Sequence, residues 1–207
     1  MREHRLRESL AASILLLSVA ITATGGVLAP REAQASVAMA ASIEDLARAS
    51  SVIARVTALD RESAWEDGRI VTYSRVRIDE IVAGSTAGNT REVRIRTLGG
   101  SVGNIGQTVE GEAVLTLAQP AIVFLGTRSP QRTTDLVVMG RAQGLLLVRR
   151  DVTGREIVRL GPVGELIARK IRPPIRATGK PVVELDGASV DAVVIDAKRA
   201  WEVGHAR

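Results

Sequence analysis

Between Ser51 and Asp60 the sequence SVIARVTALD alternates apolar and polar positions with a period of two, so Val52, Ala54 and Val56 share one face. That is the pattern of a strand with one buried side. A second and longer run spans Arg69 to Val82, and Asp67-Gly68 separates the two. Both central residues of a type I′ turn take positive φ, so Asp-Gly between two strands predicts a hairpin. In the second strand Val71 and Tyr73 share a face, whereas Val76 and Ile78 fall on the other. One extra residue midway, a β-bulge, reconciles the two halves.

The same reading continues downstream. REVRIRTL sets Val93 and Ile95 against Glu92, Arg94 and Arg96. PAIVFLG is apolar without a break from Ala121 to Leu125, as in a strand buried on both faces. TDLVVMG, GLLLVRRD and GREIVRLG follow at short spacing. Seven strands at such intervals predict an all-β barrel or sandwich. Two helices frame them. Ser42-Ile43-Glu44-Asp45 has the form of a capping box opening SIEDLARAS, with Ile43, Leu46 and Ala47 facing inward. Near the end, Val190, Val193, Val194, Ala197 and Trp201 form one helical stripe, with Ser189 as its cap. The stripe is expected to pack on the sheet; the alternative is a docking helix for a partner. Between strands and helix, the stretch GELIARKIRPPIRATGKP holds three prolines and five cations, and residues 161–188 are expected to form an exposed, partly extended linker.

The N-terminus adds a destination. Arg2, Arg5 and Arg7 precede an uncharged stretch from Ser9 to Pro30, and Ala33-Gln34-Ala35 is a small-x-small cleavage pattern. These are the parts of a secretory signal peptide over residues 1–35. The chain is therefore expected to be exported, to the periplasm, the cell surface or the medium. Membrane attachment is expected only if the signal is left uncleaved. With no cysteine in 207 residues there is no lipidation site, disulfide or thiolate chemistry, so it is not a lipoprotein. The expected organisation is a signal peptide over 1–35, a β-barrel domain over 36–160, the linker over 161–188 and a C-terminal helix over 189–207.

Charge changes this picture little. After removal of residues 1–35 the chain carries 24 Lys+Arg against 20 Asp+Glu, a net of +4. Such a balance argues weakly for a polyanionic partner. Aromatic residues make up 2% of the chain, too few for stacking on bases, so nucleic acid is not expected as a partner.

The segment TLGGSVGNIGQTVEGE carries Gly99, Gly100, Gly103 and Gly106. A phosphate loop needs a following lysine and a helix, and a dinucleotide fingerprint needs a helix as well. Here no lysine follows, and QTVEGEAVLTL reads as extended chain. These glycines, like Asp67 and Gly68, are therefore expected to make turns. Catalytic candidates are few. The histidines are His4, in the signal, and His205, near the end, where neither is held as a general base must be. Glu110 and Glu112 sit at i, i+2 and are expected on a solvated edge, with Ca²⁺ binding as the alternative. No cofactor and no metal is expected. Arg75 and Arg77 share one strand face, and Arg94 and Arg96 share one face of the next. If the strands pair, four guanidiniums line one surface able to hold an acidic polysaccharide or a protein. The competing expectation is that Asp79 and Glu92, on the same faces, neutralise them.

The order SVIARVTAL, GRIVTYSRVRIDEIVAG, VRIRTLGGSVG, VEGEAV, PAIVFLG, MGRAQGLLLV resembles a group of uncharacterised exported bacterial β-proteins. More loosely it is similar to the netrin-like and metalloproteinase-inhibitor OB-type barrels. The likeness covers about Ala49 to Val148. It implies a small OB-like antiparallel barrel or sandwich, mainly β, flanked by the two helices. The inhibitors act through an N-terminal cysteine and disulfides that this chain lacks, so no functional residue carries over. The expected function is an exported, non-catalytic binding module of the envelope or secretome. The alternatives are a carboxylate-dependent hydrolase and a membrane-anchored structural envelope protein.

Overall fold

The computed structural model describes residues 40–127, 135–161 and 179–206. The signal peptide, expected over 1–35, and most of the expected linker lie outside the described residues.

Ser42 caps helix α1, Ile43–Ala49, in the full reciprocal form: its hydroxyl accepts from Asp45 N, and the Asp45 side chain accepts from Ser42 N. Two long strands follow, β1 at Val52–Glu66 and β2 at Arg69–Gly84. Between them Asp67 has φ 51° and Gly68 φ 75°, the two left-handed residues of the predicted turn. The remaining strands are β3 (Glu92–Leu98), β4 (Gly100–Val102), β5 (Ile105–Gln107), β6 (Pro120–Thr127), β7 (Asp135–Val138), β8 (Leu145–Arg150) and β9 (Glu156–Leu160). Helix α2, Val190–His205, closes the described chain, with Ser189 accepting from Ala192 N.

Seven strands form one sheet in the order β1-β2-β3-β7-β6-β8-β9, and a further β1–β6 pairing joins β1, β2, β3, β7 and β6 into a ring of five. The ring pairs are antiparallel except β3–β7. The fold is mainly β, as the sequence pattern predicts, with the small OB-like arrangement that the resemblance implies. β4 and β5 form a separate two-stranded hairpin.

β6 is apolar throughout because both of its faces are covered. Ala121, Val123 and Leu125 join Val52, Val76, Ile95 and Val138 in a cluster supplied by all five ring strands. Ile122 and Phe124 join the opposite cluster, with Ile43 and Leu46 of α1 and Val193 and Ala197 of α2. The stripe on α2 therefore packs on the sheet, with Val194 and Trp201 partly buried against the same cluster.

The bulges fall elsewhere than the alternation predicts. The β1–β2 register skips Val82, Asp79 and Leu59, two residues of β2 near its end and one of β1. Between Tyr73 and Val76 the pairing of β2 with β3 is continuous. The alternation breaks there for a chemical reason: the inner face of β2 passes from Ile78 and Val76 to the hydroxyls of Ser74 and Thr72, while Val71, on the outer face, is itself buried.

The linker reading needs correction at its described end. Residues Val182–Leu185 form a 3-10 turn in which Val182 and Leu185 are buried. Val182 N donates to Ala41 O at 2.9 Å, and Gly187 N donates to Val158 O at 2.8 Å. The apolar residues of PVVEL anchor this stretch, which the nearby prolines and cations masked.

Candidate functional site

The glycine segment makes a corner. Gly99 and Gly100 have φ 90° and 132°, and they turn the chain from β3 into the β4–β5 hairpin, whose own turn holds Gly103 at φ 58°. Gly99 N donates to Ile70 O at 2.8 Å, Thr72 Oγ1 donates to Gly99 O at 2.6 Å, and Ile70 N donates to Gln107 Oε1 at 2.6 Å. The amide of Gly99, which a phosphate would need, is thus spent on β2. Gly106 is not a bend: it lies within β5, without positive φ, opposite Ser101. Beyond Gln107, the last residue of β5, TVEGEAVLTL is irregular rather than a strand, although Ala113 and Leu115 are buried.

Beneath this hairpin lies a cleft of about 540 Å³. Its floor is the polar continuation of the ring interior: Ser63 from β1, Thr72 and Ser74 from β2, and Thr97 from β3. The register places these residues side by side, Ser63 opposite Thr72 and Thr72 opposite Thr97. Ser63 and Thr72 hydroxyls are 2.9 Å apart. Ser74 is 2% exposed. Arg61 and Glu112 are the charged residues of the lining.

Glu112 departs most from its expected place. It is buried rather than solvated. Loss of water raises its pKa, and the charge of Arg141, the backbone amides of Leu98 and Ala113 and the charge of Arg96 only partly offset this. The alternation in sequence had no means of revealing this, because the residues that cover Glu112 come from β3 and from beyond β7. No group of three or more metal-ligating side chains occurs among the described residues.

The four arginines do share a surface. Arg75 pairs with Arg94, and Tyr73 with Arg96, on the outer face of β2 and β3, with Arg77 beside Glu92. Each guanidinium already holds a carboxylate. Arg75 donates to Asp60 at 2.8 Å and to Glu92 at 2.9 Å. Arg77 donates to Asp79 at 2.7 Å, and Arg94 to Asp135 at 2.5 Å while also lying over the Tyr73 ring. Arg96 donates to Glu66 at 3.0 Å, and the Tyr73 hydroxyl donates to the same oxygen at 2.7 Å, a bond that raises the phenol pKa. Neutralisation by Asp79 and Glu92 thus operates as the second expectation had it, and Asp60, Asp135 and Glu66 extend it.

No family model, no curated protein and no solved structure matches this chain.

Proposed function

We propose that this chain is an exported, non-catalytic interaction module that binds a protein or another envelope component through the cleft beneath the β4–β5 hairpin. One observation carries the reading. The cleft mixes apolar side chains with hydroxyls, backbone, the Gln107 amide and the Arg61 guanidinium, and among the described residues Glu112 is its one carboxylate. Hydrolysis by paired carboxylates needs two acids on opposite sides of the scissile bond. A pocket of a few hundred cubic ångströms with converging donors and acceptors suits recognition. The outer arginine face is a weaker candidate, and an acidic polysaccharide a weaker ligand. Its guanidiniums must first give up the carboxylates they hold, and exposed pairs gain little from exchange. Export rests on the pattern of residues 1–35. The OB-like strand order is compatible with binding and does not select a ligand.

The hydrolase is the second reading, and Glu112 favours it: a carboxyl with a raised pKa in a cleft is a common sign of general acid catalysis. The membrane-anchored alternative depends on whether residues 1–35 are cleaved, which the intact mass of the protein from its host decides.

The test is a retention assay with the immobilised protein. Envelope and secreted fractions of the host are passed over it, and bound material is identified as salt rises. Thr108 is exposed at the cleft wall, so Thr108→Trp fills the cleft without touching the core. The proposal expects a component retained by the wild type and lost with Thr108→Trp. Retention of nothing, or equal retention by both proteins, overturns it.

A further inference from the structure

β1 is paired on both sides only over its first half. β6 covers it from Val52 to Thr57, and Leu117 bridges Ala58. From Leu59 to Trp65 its pairing is with β2 alone, and no other hydrogen bond engages the backbone of these residues among the described residues. Which backbone groups are left follows from the turn. In a hairpin with a two-residue loop the residues flanking the loop, Glu66 and Arg69, form the hydrogen-bonded pair, and pairs alternate from there. Trp65–Ile70, Ser63–Thr72 and Arg61–Ser74 are then the pairs whose amides and carbonyls point away from each other. Ile70 confirms the parity, since its N–H and C=O turn outward to Gln107 and Gly99. Among the described residues, the N–H and C=O groups of Arg61, Ser63 and Trp65 therefore form an unpaired row along the β1 edge. Arg61 and Ser63 also line the cleft, and Trp65, on the same strand face, is 52% exposed.

We propose that this edge is where the partner binds, and that the partner contributes an extended polypeptide strand that adds to β1 from Leu59 to Trp65. The inference rests on the binding reading above and names its partner class. The chemistry that completes a row of strand amides and carbonyls is another strand backbone. A protein edge left open in this way is ordinarily blunted, by charge or by cover, against unwanted pairing. Here charge also selects the partner. Side chains directly opposite in a sheet share a face, so two copies pairing antiparallel about a two-fold have few registers. Centred on Arg61 they oppose Arg61 to Arg61; on Glu62, Glu62 to Glu62; on Ser63, Asp60 to Glu66; on Ala64, Glu62 to Glu66. The registers centred on Arg61 and Glu62 set like charges without an ion-pair partner among the described residues against each other, which destabilises a sheet, whereas Asp60 and Glu66 are already held by Arg75 and Arg96. A second copy is thereby disfavoured in the registers centred on Arg61 and Glu62, and the matching strand is a heterologous one with a cation opposite the exposed Glu62.

The probe is a synthetic octapeptide of alternating Lys and Thr, with a second version N-methylated on alternate residues to remove its donors without altering its charge. It is titrated into isotopically labelled protein purified from its host. The expected result is that amide exchange of Arg61, Ser63 and Trp65 slows about tenfold or more, and that the N-methylated peptide fails to do this. Ser63→Pro removes an outward N–H while leaving the β1–β2 ladder bonds intact, a position where proline is tolerated. It should weaken binding about tenfold, while Ser63→Ala, which removes only the hydroxyl, should change it by no more than about twofold. Slowed exchange with both peptides, binding without protection of these amides, or no binding at all overturns strand addition. So does a dimer of the wild type that Ser63→Pro turns into a monomer, since the occupant is then a second copy. If the retention assay still captures its component with Ser63→Pro, the binding reading stands and strand addition falls.

Discussion

At Gly100 a side chain has nowhere to go. A Cβ there would overlap Thr72 Oγ1 and Ser63 Oγ, and φ of 132° already excludes most L-residues. Gly103 also has positive φ, but nothing lies within 4 Å of its Cβ position. Gly100→Val should therefore cost more than about 2 kcal/mol, and Gly103→Ala about 1 kcal/mol. Thermal melts of the two variants check this; equal melting temperatures would mean that the corner is not packed as described. Glu112 gives a second test at this scale. Its pKa is raised in the folded protein, so the native state holds the proton more tightly than the unfolded chain does. Stability is then lost as pH rises from the ordinary glutamate value of 4.5 through the folded pKa. Glu112→Gln removes that loss. The variant should be at least as stable as wild type at neutral pH, and the difference should close below pH 4.5. Urea melts across pH measure it; a difference that does not depend on pH would show that Glu112 is not desolvated. Both residues stood out in sequence, one correctly as a turn and one as an edge acid. A turn is a property of its own few residues, whereas burial belongs to whatever packs above.

Among the elements, hairpins were the most legible. The β8–β9 turn is held by Asp151, which accepts from the Thr153 hydroxyl at 2.6 Å and from the amides of Thr153 and Arg155 at 2.8 and 3.0 Å. The hydroxyl bond is the largest cause of a pKa lowered from 3.8 to about 2. An acid with a depressed pKa supports its turn above the unfolded value, and that support fades as pH falls through the folded one. Thr153→Ala should move the Asp151 midpoint up from about 2 toward 3.8, read by carboxyl NMR titration. An unchanged midpoint would assign the shift to the backbone amides instead. Seven strands were visible from alternation or from short unbroken apolar runs, because each follows a local rule. The short β4–β5 hairpin was not visible, since three-residue strands rich in glycine carry no alternation. The bulges were misplaced for a related reason. A change of face and a change of interior chemistry look the same in one strand, and only the partner's register separates them.

Across the whole molecule, the chain from Gly179 onward closes the helix-covered face. Pro181 bridges Ser42, Ile157 bridges Ser189, and Leu185 sits in the cluster shared by α1 and α2. Arg55 of β1 grips Glu156 of β9 with two bonds of 2.7 Å, tying the ring to the outer strand. Leu185→Ala should cost about 2–4 kcal/mol, as for a leucine removed from a packed core. Val203→Ser, on the exposed side of α2, should stay within about 0.5 kcal/mol. Denaturant midpoints separate the two; a silent Leu185→Ala would restore the linker reading for this stretch. The binding proposal belongs to this scale as well. Among the described residues, the cleft and the open edge of β1 arise because the β1–β6 pairing ends at Thr57 and Pro120, the first residue of β6, while β1 runs on to Glu66.

Alone, the sequence determined the all-β class, the seven main strands, the Asp67-Gly68 turn, both helix caps and the inward stripe of α2. Each depends on periodicity or on the φ demands of neighbouring residues, so a linear reading suffices. Only the tertiary structure decided that five strands close into a ring, that the arginine face is neutralised and that Glu112 is buried. It alone decided that, among the described residues, the second half of β1 pairs with β2 alone. Those features are set by residues far apart in the chain, whose meeting depends on register and crossover rather than on local preference.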